Sequence, residues 1–192
     1  MINPRSGRIL PFIASQMDEP IADPSAIATY FICRRAREEV TVLLSGDGSD
    51  ELLLGYPRYR LHAASQLLGL LPRPLRRLGA GMLPPWSLPE RALSAPGDPL
   101  LRDRYWLAHG KERKDAFQPS PLRLSPAQAV QTVLREDLGT WLVDEVLTKL
   151  DKMAMAASVE VRAPFLDSRL AEWVLALPVG TRMSAFQGKA IL

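Results

Sequence analysis

The chain has 192 residues, of which 47 % are hydrophobic and 23 % are charged. These proportions are globular and exclude a chain that is disordered throughout, and the length predicts a single domain. The net charge of +3 is too small to indicate a nucleic-acid partner. No apolar run approaches the length of about 20 residues that a membrane-spanning helix needs. The single cysteine allows no internal disulfide, which fits a reducing cytoplasm, where we expect the protein to reside.

The first clear element along the chain is a helix that begins at Asp23-Pro24-Ser25. A proline in the first turn flanked by small polar residues favours a helix start, and the apolar face of this helix places Cys33 in the core. The first twenty residues show no such periodicity. Residues 40–44 (Val-Thr-Val-Leu-Leu) are apolar and rich in β-branched side chains, which predicts one buried strand of a parallel sheet. The succession of helix, strand, glycine-rich turn and helix predicts an α/β fold.

Helical patterns dominate the rest of the chain. After Tyr56 a helix extends to Pro72, and seven prolines between residues 72 and 99 then allow only short helices. Further helices are predicted over residues 125–138, from 141 to about 157 with Thr140 as a possible cap, and over 168–177. Residues 188–192 resemble the start of another helix. No second convincing strand is visible, and Glu160 and Arg162 are predicted to form an ion pair or a helix cap.

An acidic loop follows the predicted strand directly. We use this name for residues 45–51 (Ser-Gly-Asp-Gly-Ser-Asp-Glu), which contain two glycines and three carboxylates. Glycines let a backbone turn tightly against a ligand, and carboxylates beside a phosphate require a divalent cation such as Mg²⁺ between them. The alternative is an acidic turn in which Asp50 caps the next helix. The loop matches neither a Walker phosphate loop nor a dinucleotide fingerprint.

Two further groups of charges have open interpretations. Lys149 and Lys152 are neighbours on one helix face and could contact phosphates, or could be ordinary surface lysines. Between Arg58 and Arg104 there are eight arginines and only three acids. This basic stretch could meet phosphates or anionic surfaces. No aromatic platform or groove-reading motif accompanies it, so we expect a solvated helix face, or a surface against another part of a larger protein, rather than a nucleic-acid site.

Four segments are more specific together than each is alone. They are residues 17–26 (MDEPIADPSA), residues 42–52 (VLLSGDGSDEL) followed by Gly55-Tyr56 and Arg58-Tyr59, residues 150–156 (LDKMAMA), and residues 158–167 (SVEVRAPFLD). Their order and approximate spacing closely resemble the synthetase domain of glutamine-dependent asparagine synthetases. The resemblance extends from about residue 18 to the end of the chain and is weak only across the proline-rich middle. It implies a lead-in over residues 1–17 and a partial synthetase domain over residues 18–192.

The resemblance implies a fold and a reaction. The fold would be a mostly helical part of an α/β domain of the adenine-nucleotide-hydrolase-like (ATP-pyrophosphatase) kind. In this family Mg-ATP adenylates a substrate carboxylate, pyrophosphate leaves, and ammonia released from glutamine attacks the acyl-adenylate. The implied cofactors are therefore ATP and Mg²⁺. The implied partners are small molecules, namely ATP, aspartate or a related carboxylate, and ammonia or glutamine.

The resemblance also implies roles for residues of this sequence. Asp47 would be the catalytic carboxylate that handles the attacking amine, at a position where glutamate is usual. Asp50 would bind magnesium and pyrophosphate. The implied ATP-binding residues are Ser45, Gly46, Gly48 and Lys149.

The sequence also departs from the family pattern. Leu53-Leu54 stand where Phe-Gly is common, so the backbone of the turn there is expected to differ. The 192 residues contain no Ser-Gly-Gly-x-Asp-Ser pyrophosphate loop, no glutaminase domain and no C-terminal lysine motif. We therefore expect an incomplete form: a truncated gene product, an expression fragment or one piece of a split synthetase.

Two expectations follow for the isolated chain. It should perform no measurable synthesis, and it should associate with itself or with a missing domain supplied in trans. The alternative function is a non-catalytic remnant or interaction module that binds nucleotide weakly.

Overall fold

The computed structural model describes residues 8–19, 23–68, 70–84 and 124–192, together with Leu93. Most of these residues are helical and a small parallel sheet accompanies them, which is compatible with the predicted α/β class. In chain order the elements are α1 (Leu10–Gln16), α2 (Ser25–Ala36), β1 (Val42–Leu44), α3 (Ser49–Leu52), α4 (Pro57–Leu68), α5 (Arg73–Gly81), α6 (Pro126–Gly139), a π-helix (Trp141–Leu147), α7 (Thr148–Ala156), β2 (Glu160–Arg162), a 3-10 turn (Pro164–Leu166), α8 (Ser168–Ala176) and α9 (Val179–Arg182).

The chain divides into two units. The first unit comprises Met1–Ser49 and Leu138–Glu172, and the second comprises Asp50–Asp137 and Trp173–Leu192. The acidic loop therefore contributes its first five residues to the first unit and its last two to the second. Within the described residues, no helix combines the length and the apolar character that a bilayer crossing requires.

Helix α2 organises the core of the first unit. It begins where the sequence predicts, because the Asp23 carboxylate accepts a hydrogen bond from the first amide of the helix at 2.8 Å. Its face that carries Tyr30 and Cys33 is buried and packs against α7, where Met153 is fully buried. Burial also raises the pKa of the Cys33 thiol. The prediction that Cys33 is a core residue is confirmed.

Helix α1 is an element that the sequence pattern did not predict. Pro11 lies in its first turn, where a proline is tolerated because the first amides of a helix have no internal acceptor. Among the seven residues of α1 only Ile13 is buried, and it joins the cluster around Tyr30 and Met153. Because only one position in two helical turns is buried, the sequence of α1 has no apolar periodicity from which a helix could be predicted.

The predicted strand exists, but it is shorter and more exposed than expected. β1 covers Val42–Leu44 rather than residues 40–44, and Val42 and Leu44 are 40 % and 73 % exposed. The prediction of a buried strand was therefore wrong. A second strand, β2, pairs with β1 in parallel with Leu43 opposite Val161. Its two flanking residues are charged, so it does not look like a strand in the sequence, and their predicted ion pair is present at 2.7 Å.

The helix predicted from residue 141 to about 157 consists of two parts. Its first part is the π-helix, and its second part is α7. The Thr148 hydroxyl donates to the carbonyl of Val143 at 2.8 Å, across the wider turn. Thr140 occupies the predicted N-cap position, but its side chain makes no capping hydrogen bond.

In the second unit, α4 and α6 contribute most of the fully buried side chains, including Tyr59, His62, Val130 and Val133. Both helices lie where the sequence predicts them. Helix α5 is one short helix of the proline-rich stretch, whereas residues 85–92 and 94–99 lie outside the described residues, as does part of the basic stretch. Residues 188–192 form turns rather than a helix, because Lys189 has a left-handed backbone with φ of +52°.

Candidate functional site

The acidic loop leaves the carboxyl end of β1, which is where open α/β sheets bind ligands. The amide of Ser45 donates to the carbonyl of Arg162 at 2.8 Å, so the loop starts from a fixed point on the sheet. The Ser45 hydroxyl is buried and has no hydrogen-bond partner among the described residues. A buried hydroxyl without a partner is uncommon, and a bound ligand or an ordered water is the usual explanation.

The two glycines of the loop differ in what they require. Gly48 has φ of +84°, and a Cβ atom there would lie 2.2 Å from Cδ2 of Leu166, so no other residue fits without movement. A Cβ atom on Gly46 would meet no atom within 4 Å. The space beside Gly46 is therefore open to a ligand. Asp47 lies between the two glycines and is partly exposed.

Asp50 begins the second unit and lies in the short helix α3, which a tight turn follows. Its carboxylate is 40 % exposed and forms an ion pair with the Lys189 ammonium at 3.1 Å. The amide of Gly55 donates to the Asp50 carbonyl at 2.8 Å. A Cβ atom on Gly55 would lie only 2.0 Å from Oδ1 of Asp50, so the absence of a side chain at residue 55 makes room for this carboxylate.

Leu54 closes this turn in an unusual conformation. Its φ is +55°, in the left-handed region that costs a residue with a side chain about 1–2 kcal/mol. Its side chain is fully buried. Leu54 thus adopts the left-handed conformation that glycine adopts freely, and the expectation that the turn differs from that of the family stays a prediction. Burial of the leucine side chain offsets the strain.

Lys149, in α7, does not stand free. In the first unit its ammonium lies 2.5 Å from Oδ2 of Asp23 and 2.8 Å from Oγ of Ser25. The side chains of Lys149 and Asp23 are 14 % and 19 % exposed. Burial alone would raise the pKa of Asp23, but the hydrogen bonds from Lys149 and Ser25 outweigh it and hold this pKa below its usual value. Two of the three ammonium donors are thus in use within the part of the chain that the structure describes.

Lys152 forms the second ion pair between α7 and the segment before α2. Its ammonium lies 2.6 Å from Oδ2 of Asp18, and this carboxylate raises the pKa of Lys152. The pair is mostly exposed and therefore contributes little to stability. Near Asp18 and Asp23, α1 and α2 line a largely apolar cavity of about 570 Å³.

The candidate residues are thus divided between the units. Ser45, Gly46, Asp47 and Gly48 succeed one another after β1 in the first unit, which also contains Lys149, whereas Asp50 belongs to the second unit. Within the described ranges no three His, Cys, Asp or Glu side chains are grouped so that they could hold a metal ion. Magnesium does not need such a group, because it commonly binds through one or two carboxylates together with substrate phosphates.

Sequence reasoning did not find the partners of these residues. Asp23 was predicted as part of a helix start and of a matched segment, yet it is also the counter-ion of Lys149, 126 positions away. Lys189 was not assigned a role, yet it pairs with Asp50. The acidic partners lie in the matched segments and the two lysines lie outside them, so the sequence supplies charges of opposite sign without indicating which two meet.

Comparison with known proteins agrees with the resemblance. The family model described as asparagine synthase matches residues 6–192. A putative asparagine synthetase [glutamine-hydrolyzing] of Mycobacterium bovis is 35 % identical over 194 residues, which cover 91 % of this chain and 30 % of that protein. Asparagine synthetase [glutamine-hydrolyzing] 1 of Bacillus subtilis is 34 % identical over 178 residues, which cover 82 % of this chain and 28 % of that protein.

The chain belongs to the asparagine synthase family, a family of carbon–nitrogen ligases. A further relative, putative asparagine synthetase [glutamine-hydrolyzing] 2 of Methanocaldococcus jannaschii, is 41 % identical over 120 residues, or 62 % of this chain and 20 % of that protein. The chain therefore spans at most 30 % of the length of these three relatives.

Proposed function

We propose that the chain contributes to an ATP-dependent amidation. In this reaction Mg-ATP adenylates a carboxylate, aspartate or a relative of it, and ammonia from glutamine then forms the amide. The observation that carries this proposal is the acidic loop at the carboxyl end of β1, in a chain whose family is asparagine synthase. We also propose a nucleotide-hydrolase-like fold and a cytoplasmic location. The proposed division of the chain is a lead-in over residues 1–17 and a partial synthetase domain over residues 18–192.

The ATP-binding role is assigned to Ser45, Gly46, Gly48 and Lys149. The orphan hydroxyl of Ser45 supports it, because a nucleotide would supply the missing hydrogen-bond partner. The open space at Gly46 lets a ligand approach the backbone. The Lys149 ammonium adds a cation of fixed position, which suits a phosphate.

The metal role is assigned to Asp50. Its carboxylate oxygens are the hard donors that Mg²⁺ prefers, and it is exposed enough to reach a ligand, so the residue fits the ion. Lys189 neutralises this carboxylate in the structure and would favour the approach of a phosphate. When bound, magnesium would offset the charge of the leaving pyrophosphate.

Asp47 is assigned to the attacking amine. A carboxylate can orient ammonia or accept its proton, provided that it lies within hydrogen-bond reach in the complex. Partial exposure and the flanking glycines leave Asp47 accessible to a small substrate. Aspartate is one methylene shorter than the glutamate usual in the family, so its reach toward the amine is smaller.

A second candidate function is an interaction module without catalysis of its own. The exposed apolar side chains of β1, Val42 and Leu44, favour it, because exposed apolar strand surface invites a partner.

The deciding experiment measures Mg-ATP binding by calorimetry and pyrophosphate release in the presence of aspartate and ammonia. The unaltered chain is compared with Asp50→Asn and with the matched control Glu19→Gln, an exposed carboxylate outside the acidic loop. Binding or release that Asp50→Asn reduces at least about tenfold, with the control unchanged, supports the proposed chemistry. Absence of both, together with concentration-dependent association, supports the interaction module instead.

A further inference from the structure

A series of polar contacts in the second unit connects α6 to Glu51, the last residue of the acidic loop. Asp137 on α6 is 2 % exposed, and its Oδ2 atom lies 2.7 Å from the Arg58 guanidinium. The Tyr59 hydroxyl donates to the same oxygen. Burial, with the Asp137 charge, raises the pKa of Tyr59 far above its usual value, so this hydroxyl stays protonated and donating. Asp137 is therefore a buried carboxylate with both a counter-ion and a neutral donor.

Arg58 extends these contacts to Tyr56. The guanidinium carbon lies 5.0 Å from the centroid of the Tyr56 ring, within the range of a cation–π interaction. The Tyr56 hydroxyl donates to Oε1 of Glu51 at 2.8 Å. Glu51 is only 1 % exposed, and burying a carboxylate without a donor is costly. The hydrogen bond from Tyr56 therefore fixes Glu51, the residue that directly follows Asp50.

Other contacts within the second unit also hold the backbone around Asp50: the Arg182 guanidinium donates to the Leu52 carbonyl at 2.9 Å, and the amide of Lys189 donates to the Leu53 carbonyl at 3.1 Å. The amide of Leu54 donates to the Glu51 carbonyl at 3.3 Å, and that of Gly55 donates to the Asp50 carbonyl at 2.8 Å. The Asp50 carboxylate itself is 40 % exposed. The hydrogen bond from Tyr56 fixes the Glu51 side chain and therefore acts together with these backbone contacts in ordering α3 and the turn after it.

We propose that Asp137, Arg58 and Tyr56 are positioning residues for the acidic loop. They act through Glu51 to hold helix α3, from which the Asp50 carboxylate faces a metal–phosphate ligand, and none of them is assigned a contact with that ligand. The inference rests on the proposed function, since it assumes that Asp50 binds such a ligand.

The principal test uses Tyr56→Phe, which removes one hydroxyl and keeps the ring on which Arg58 stacks. Hydrogen exchange is followed at the amides of Leu54 and Gly55, and Mn²⁺ binding in the presence of inorganic pyrophosphate is followed by electron paramagnetic resonance. Tyr30→Phe is the matched control, because Tyr30 is buried in the first unit. We expect about tenfold faster exchange and about tenfold weaker Mn²⁺ binding in Tyr56→Phe alone, the effect of one hydrogen bond to a charged group.

A second variant, Asp137→Asn, tests the distant end of the network. It should raise exchange at the same two amides. It also lowers the stability of the whole unit, because the buried negative charge that faces Arg58 is removed. Hydrogen exchange of the variant and of the unaltered chain is therefore compared at urea concentrations that lie equally far below the unfolding midpoint of each protein. A rise that is uniform over the unit would mean a purely structural role and would overturn the proposal.

Comparison with Asp50→Asn separates two failures. If Asp50→Asn weakens Mn²⁺ binding while Tyr56→Phe binds and exchanges like the unaltered chain, the positioning inference is refuted and the proposed function stands. If the unaltered chain and Asp50→Asn do not differ in Mn²⁺ binding, the metal role of Asp50 is refuted and the inference falls with it.

Discussion

Replacing Asp23 with asparagine removes the negative charge that faces the Lys149 ammonium. The two side chains meet at 2.5 Å and are 19 % and 14 % exposed, so solvent screens their attraction only in part. Exposed ion pairs contribute about 0.2–1 kcal/mol, whereas hydrogen bonds to charged groups contribute about 1.5–3 kcal/mol. We therefore expect a coupling free energy of about 1–2 kcal/mol between Asp23 and Lys149.

A double-mutant cycle measures this coupling directly. The free energy of unfolding in urea is determined for the unaltered chain, Asp23→Asn, Lys149→Met and the double variant. Glu19→Gln is the matched control, because Glu19 is a nearby exposed carboxylate, and it should change the free energy by less than about 0.5 kcal/mol. A coupling below about 0.3 kcal/mol would show that the pair does not stabilise the first unit and would refute the reasoning.

The pH dependence supplies an independent check of the same pair. Since the folded-state pKa of Asp23 is lowered, its contribution to stability is present above the unfolded pKa of about 3.9 and is lost as the pH falls through the folded value. The difference in unfolding free energy between the unaltered chain and Asp23→Asn should therefore shrink as the pH is lowered from 6 toward about 3. A difference that is constant or grows over this interval would contradict the assignment.

Three further variants test other parts of the structure. Gly48→Ala should lower the free energy of unfolding by about 2 kcal/mol or more, since it combines a positive φ with a clash against Leu166. Gly46→Ala should change this free energy by less than about 1 kcal/mol, and urea unfolding compares the two variants. Arg182→Met should destabilise the chain by about 2 kcal/mol in the same assay, because the buried guanidinium donates to a main-chain carbonyl at 2.9 Å, and an unchanged urea midpoint would contradict this. Leu44→Lys should reduce self-association in sedimentation velocity, because it places a charge on the 73 % exposed side chain of β1; equal association would exclude this strand as the contact.

Local chemistry made much of the fold predictable. The helix that starts after Asp23, the helices α4, α6 and α8, and the loop after β1 each depend on caps, prolines or apolar spacing within a few residues. The family resemblance then provided what periodicity cannot, namely which loop carries chemistry. Its ligand assignments stay predictions.

The remainder depends on contacts between distant parts of the sequence. β2 is recognisable only through its pairing with β1, since Glu160 and Arg162 hide its single apolar residue. Asp137 has no local feature that marks it for burial, and its contact with Tyr59 spans 78 positions. Such pairings require the tertiary structure, because the sequence specifies the charges but not the distances between them.

The left-handed conformation of Leu54 has a consequence for how the turn can move. A glycine at this position could change its backbone conformation without moving a side chain, since it carries none. Leu54 is fully buried, so its backbone cannot leave the left-handed region without drawing a leucine side chain out of the interior. Movement of the turn is therefore tied to opening of the interior around it, and such openings are rarer than the fluctuations of a surface loop. Leucine at position 54 thus both strains the backbone and makes the turn slow to rearrange.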